Sequence, residues 1–210
     1  MTELATLITV FSTLFIIIDP PGLAPIFVAL TQGMSPAERR TIALRSCIIS
    51  AVLMLMFLFV GEAVLNFIGI SMPAFRIAGG VLLFLTALEM LFQRRQARRE
   101  DNAEEGAAEH NDDPSVFPLA LPLIVGPGAI TTIILFAGQT QTALDMATLA
   151  AVMLSVLVIV FLAFLSSSAI ERALGKTGLN ILTRVLGMLL AALAIQFILD
   201  GIRQSFGLGG

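Results

Sequence analysis

Long apolar runs separated by short polar links fill almost the whole chain. The first runs from about residue 4 to 30, the second from about 42 to 67 and the third from about 73 to 92. After a polar stretch, three more follow at about 116–138, 146–168 and 180–203. A helix of about 20 apolar residues crosses about 30 Å of hydrocarbon, and every run reaches that length. The pattern therefore predicts an all-α membrane protein with six transmembrane helices. Between the first two, Ser35 with Glu38 three residues on has the spacing of a capping box. Pro73 suits the first turn of the third helix. In the second, Ser46 and Ser50 share a face, and small residues at that spacing let helices approach closely.

Two of the runs are interrupted. Asp19-Pro20-Pro21-Gly22 divides the first, and Gly126-Pro127-Gly128 divides the fourth, which also carries Pro118 and Pro122. Proline has no amide donor and clashes with the preceding turn, and it pushes the residue before it out of the helical region. The first and fourth helices are therefore expected to be discontinuous. Carbonyls freed in hydrocarbon need partners, so a broken helix persists only where it lines a cavity or is covered by neighbours. Breaks at matching places in two halves of a chain point to a binding site between them.

The segment Gln93 to Ser115 separates the halves. It opens with Arg94, Arg95, Arg98 and Arg99 and continues with seven acidic residues from Glu100 to Asp113. Its first part is expected to prolong the third helix, and its acidic part to be mobile. His110 reads as a solvated loop residue. This gives a first three-helix repeat (1–92), a charged cytoplasmic loop (93–115) and a second three-helix repeat (116–210). Glu171, Arg172, Gly175, Lys176 and Gly178 read as the loop between the last two spans. Positive charge collects in the loops after the first, third and fifth spans, which places those loops in the cytoplasm and both termini outside. An odd number of spans per half makes the second repeat enter the membrane inverted. The pieces Arg76-Ile77-Ala78-Gly79 and Arg184-Val185-Leu186-Gly187 stand 108 residues apart, and the two breaks 106 apart.

Composition removes several classes of function. The 210 residues are 57% hydrophobic and 13% charged, against about 25% charged in ordinary domains. No basic patch with interleaved aromatics supports nucleic-acid binding. A lone histidine leaves no zinc cluster or serine–histidine pair, and no phosphate-loop pattern is present, so an enzyme or a nucleotide-driven pump is not expected. No cofactor is expected either. Cys47, the single cysteine, reads as a buried packing thiol. Trp and Tyr are absent, which leaves arginines as the interfacial anchors. The first apolar run lacks a basic leader and is expected to be retained as a helix.

The chemistry is expected at the breaks. Asp19 has two readings. It binds a cationic group or a proton, as an ionisable residue at membrane depth does by default, or it caps the restarting helix. The amides of that restart, with Pro20, Pro21 and Gly22, suit a carboxylate, so one site would hold both ends of a zwitterion. At the second break, Gly126, Pro127 and Gly128 are followed by Thr131 and Thr132, which either donate to a ligand or bond back to the preceding turn. Arg76 and Arg184 read as snorkelling anchors, and Glu62, Glu89 and Asp200 as water-facing. Gly79 and Gly187 read as points of close helix packing.

Ile18-Asp19-Pro20-Pro21-Gly22-Leu23-Ala24-Pro25-Ile26-Phe27, together with Gly126-Pro127-Gly128-Ala129-Ile130-Thr131-Thr132, resembles the MarC/SnatA family over nearly the whole chain. The resemblance implies a multi-pass protein of the prokaryotic inner membrane, in a family some of whose members transport neutral amino acids. The leading expectation is a secondary transporter for small neutral amino acids, with proton or cation coupling open. A passive channel for a small neutral solute and a non-transporting membrane scaffold are the alternatives. Oligomeric state is not legible.

Overall fold

The computed structural model describes residues 4–108 and 113–207; His110 lies outside them. Regular structure among the described residues is helical throughout. Helices α1 (Leu4–Ile18) and α2 (Pro20–Leu30) meet at Asp19, and α3 (Pro36–Ile68), α4 (Met72–Leu91) and α5 (Arg94–Ala108) follow. A wide proline-containing coil, Ser115–Ile124, leads into α6 (Pro127–Ala137), then α7 (Ala143–Leu165) and α8 (Ser167–Ser205). Five stretches are long and apolar enough to cross a membrane, beginning with Thr6–Leu30. A sixth is made if the coil and α6, bent by 59° at their junction, count as one span.

The ends are set by side chains. Ser35 and Glu38 form the reciprocal box, with the Ser35 amide donating to Glu38 Oε2 at 2.8 Å. Thr142 and Asp145 do the same at the start of α7. Each box satisfies two amides that the first turn leaves without partners. Inside the coil, Phe117 and Leu121 have extended backbones (φ −124° and −125°), as expected of residues that precede Pro118 and Pro122.

Burial places the first span at the centre. Within its most apolar window 67% is buried, against 28–39% for the other four. Those others turn Val52, Phe59, Val158, Ile181 and Met188 outward, each more than half exposed. Such faces suit hydrocarbon, where an apolar surface has no penalty. Helices α4 and α8 pack backbone to backbone. A Cβ on Gly187 would stand 3.2 Å from the Ala87 carbonyl oxygen, and one on Gly201 would stand 2.9 Å from that of Pro73. A Cβ on Gly79 would meet the Thr131 methyl at 2.3 Å, so Gly79 seats α4 on α6. Cys47 is buried with its thiol toward the Leu157 carbonyl, 3.8 Å away.

Two expectations need correction. The charged stretch does not prolong α4. Gln93 takes a left-handed conformation (φ 61°), the chain turns, and α5 packs back against α2, α4 and the coil. Its acidic residues up to Ala108 are helical. The segment around Glu171 and Lys176 is not an open loop either. Two helical stretches meet at a kink at Gly175 (φ 58°, ψ 178°), so Gly175 turns the chain as expected. Glu171, Lys176 and Gly178 lie in helix, where charged residues remain good helix formers.

Candidate functional site

Asp19 is where the backbone accounts of α1 and α2 must balance. Its amide donates to the Phe15 carbonyl at 2.9 Å and closes α1. The next two residues are prolines, so the carbonyls of Ile16 and Ile17 lose the amide partners that would have come from positions 20 and 21. The Gly22 amide would have served Ile18, but the Asp19 carboxylate takes it at 3.2 Å as the cap of α2. Asp19 reaches that position through a left-handed backbone, φ 57° and ψ 65°, a region that short polar side chains enter more readily than others.

Two of these carbonyls, those of Ile17 and Ile18, are met from α5. Arg99 donates to the Ile18 oxygen at 2.9 Å, and Arg95 donates to that of Ile17. Arg99 also pairs with Asp19 Oδ2 at 3.0 Å. Arginine fits because its planar fork bonds a carboxylate and a carbonyl together, and because a cation suits a helix C-terminus. The pair is almost out of solvent, with side-chain exposures of 5% for Arg99 and 2% for Asp19. Gly22 gives the room. A Cβ there would lie 2.1 Å from Asp19 Oδ2 and 2.9 Å from Arg99 Nη1. Burial first, and then the neighbouring Arg99 charge, draws Arg95 down to about 9, which leaves it a cation at neutral pH. Burial also lowers Arg99, against the pull of Asp19.

The second break lies alongside. Gly126 is extended, Pro127 opens α6, and the Ile130 amide returns to the Gly126 carbonyl at 3.1 Å. A Cβ on Gly128 would touch Ile17 at 3.3 Å, so the breaks meet at van der Waals distance. Between them and α4 lies a cavity of about 210 Å³, lined by Thr86, Glu89, Arg95, Arg98, Arg99 and the Gly126–Ala129 turn. Glu89 accepts from Arg98 at 2.6 Å through Oε1, and its Oε2 has no hydrogen-bond partner. Cationic guanidiniums, the free amides at the start of α6 and an unfilled carboxylate oxygen thus face one space. No group of three or more His, Cys, Asp or Glu among the described residues is placed to hold a metal.

The sequence-predicted residues divide. Asp19, Pro20, Pro21 and Gly22 form the first break, and Gly126, Pro127 and Gly128 line the cavity. Thr131 and Thr132 are not among its lining: Thr131 packs against Gly79, and Thr132 is fully buried with its hydroxyl unpartnered. Of the two readings of Asp19, capping is realised, with an ion pair added from within the chain. Glu89 is not simply water-facing, and Arg76 is buried rather than snorkelling. Arg184 is exposed. Arg95, Arg98 and Arg99 were absent from the expected site. Their only signal is that Arg95 and Arg99 are four apart, on one face of a helix.

Comparison with known proteins agrees with a membrane fold. A sequence model described as MarC family integral membrane protein matches residues 4–206. A UPF0056 membrane protein of Archaeoglobus fulgidus is 42% identical over 199 residues, covering 92% of this chain and 91% of its own length. One from Methanocaldococcus jannaschii is 36% identical over 201 residues, 96% and 98% of the two chains. The UPF0056 inner membrane protein YhgN of Escherichia coli K12 is 35% identical over 191 residues, 91% and 93%. No solved structure matches.

Proposed function

The chain belongs to the MarC family of integral membrane proteins, and from that premise we propose that it is a secondary transporter of small neutral amino acids in the inner membrane. One observation carries the proposal: a charge-lined cavity stands where two proline-glycine helix breaks meet, inside an otherwise apolar bundle. Buried charge is costly in a membrane and marks pathways for polar solutes. In the proposed site the substrate carboxylate takes the amides opening α6 and the Arg98 guanidinium, and its ammonium takes the free oxygen of Glu89. Asp19 is then the post that holds α5 rather than the primary receptor, since Arg99 already occupies it.

The transport cycle in this reading is alternating access between two inverted three-helix repeats, with discontinuous helices α1/α2 and coil/α6 at their junction. The spacing of the breaks and the pairing of α4 with α8, the last span of each half, support it. The arginine bias supports cytoplasmic α5 and external termini. Coupling to a proton or cation is part of the proposal, because uphill movement of a neutral zwitterion needs a second gradient.

Uptake of labelled alanine into proteoliposomes under an imposed proton gradient tests it. Saturable uptake that rises with the gradient is expected. Flux that never saturates would make the protein a channel, and absence of flux for every small neutral amino acid would make it a scaffold; either result overturns the proposal.

A further inference from the structure

A second cavity, of about 280 Å³, opens at the other end of α4 and is lined by Thr6, Arg76, Gln139, Gln196 and Asp200. Arg76 and Glu89 are 13 residues apart on one helix, which separates the two cavities by about 20 Å. Arg76 is only 6% exposed, and its Nε has no hydrogen-bond partner. A buried guanidinium donor left unmade is costly. Asp200 sits across the cavity on α8, where Gly201 packs against Pro73 and Ile77, the turn that carries Arg76. Gln196 donates to Asp200 Oδ1 at 2.9 Å and steadies it, while Arg203 stands off at 3.9 Å. Arg76 and Asp200 line one cavity, yet no ion pair between them closes it among the described residues.

We infer that this cavity is a binding site for a small α-amino acid, with its carboxylate on Arg76 and its ammonium on Asp200. A planar fork with an unused N–H is the natural receptor for a carboxylate. A fixed carboxylate on the far wall supplies the opposite charge. The volume is several times the roughly 30 Å³ share of a water molecule, which gives room for a small amino acid. Gln139 and Thr6 add neutral polar groups to the lining. The inference shares its ligand class with the transport reading but does not depend on it, because binding here is read without flux or a gradient.

The test places a reporter in the cavity itself. Cys47 is the only cysteine, so Cys47→Ala gives a thiol-free chain, and Thr6→Cys then puts one thiol on the cavity wall. The rate of labelling by a membrane-impermeant maleimide is measured with alanine, propionate or ethylamine present. Alanine is expected to slow labelling at the lowest concentration and propionate at a higher one, with ethylamine weakest. Adding Arg76→Gln should raise the protective concentration of alanine and propionate at least tenfold, with the unprotected labelling rate unchanged. Asp200→Asn, at a partly exposed position, should weaken protection by alanine but not by propionate. If Arg76→Gln lowers the melting temperature, Arg76→Lys replaces it: it keeps the charge, loses the fork and should still cost about tenfold. Protection that is absent in the parent, or equal with and without the Arg76 guanidinium, overturns the inference. Failure of alanine uptake alongside intact protection would overturn transport and leave this site standing.

Discussion

Asp19→Asn separates the two bonds that the Asp19 carboxylate makes. Asn and Asp rank together as N-caps, so the bond from the Gly22 amide should survive at nearly full strength. The charge does not survive. Arg99, 5% exposed and 3.0 Å from the carboxylate, would keep its bond to the Ile18 carbonyl but lose its counter-ion. Removing one member of a buried pair costs about 3–5 kcal/mol, because the other charge is left uncompensated. Arg95, cationic on the same face of α5, adds to the imbalance rather than relieving it. The substitution should therefore destabilise the protein by about 3 kcal/mol or more, or drive α5 out of the break without unfolding the bundle. Asp19→Asn with Arg99→Gln removes both charges and should recover more than half the loss. Unfolding in detergent measures the first quantity for the wild type, both single variants and the double. Limited trypsin cleavage at Arg95 and Arg99 measures the second. A single Asp19→Asn variant within about 0.5 kcal/mol of wild type and equally resistant to trypsin would refute the buried-pair account. So would a double variant no better than the single.

Gly22→Ala should be poorly tolerated, by about 1–3 kcal/mol, because its Cβ would overlap the Asp19 carboxylate; a melting temperature equal to wild type would contradict this. Replacing Pro20, Pro21 and Gly22 together by Ala should restore amides for the carbonyls of the last turn of α1 and release Arg95 and Arg99. The protein should insert normally and lose alanine uptake, and retained uptake with normal affinity would show that the break is incidental. A reporter in the segment around Asn102 should be cytoplasmic and one at the C-terminus external. A cytoplasmic C-terminus would remove the odd span count and with it the inverted repeat.

The breaks were legible because proline and glycine act locally: Asp19-Pro20-Pro21-Gly22 cannot continue a helix in any surroundings. The membrane class was legible because hydropathy sums over a whole run. The contact that completes the site was not, because Arg95 and Arg99 stand in a polar stretch that composition assigns to solvent. Their burial comes from α5 docking, and α5 meets carbonyls 78 and 81 residues away that lack helical donors. That is a tertiary demand with no trace in local sequence beyond a four-residue spacing. Thr131 and Thr132 mislead for the opposite reason. They follow a break directly, yet the helical turn carries them toward α4 and the core. Glu171 to Lys176 reads as loop from its charges, although charge sets only depth in the membrane; the turn is confined to the kink at Gly175, and the backbone on either side is helical.

The plug that α5 makes in the first break also has an electrical meaning. Asp19 stands between α1 and α2, whereas Arg95 and Arg99 arrive on a separate helix. Withdrawal of α5 would therefore move two positive charges through part of the membrane field and leave a negative charge behind. An elementary charge crossing the full field gains or loses about 2.3 kcal/mol per 100 mV. If each guanidinium crossed a fifth of it, the two together would contribute about 1 kcal/mol at 100 mV, roughly a fivefold bias in the open population. With α5 on the cytoplasmic face, as the proposed topology has it, an interior-negative potential would raise the small withdrawn population by that factor.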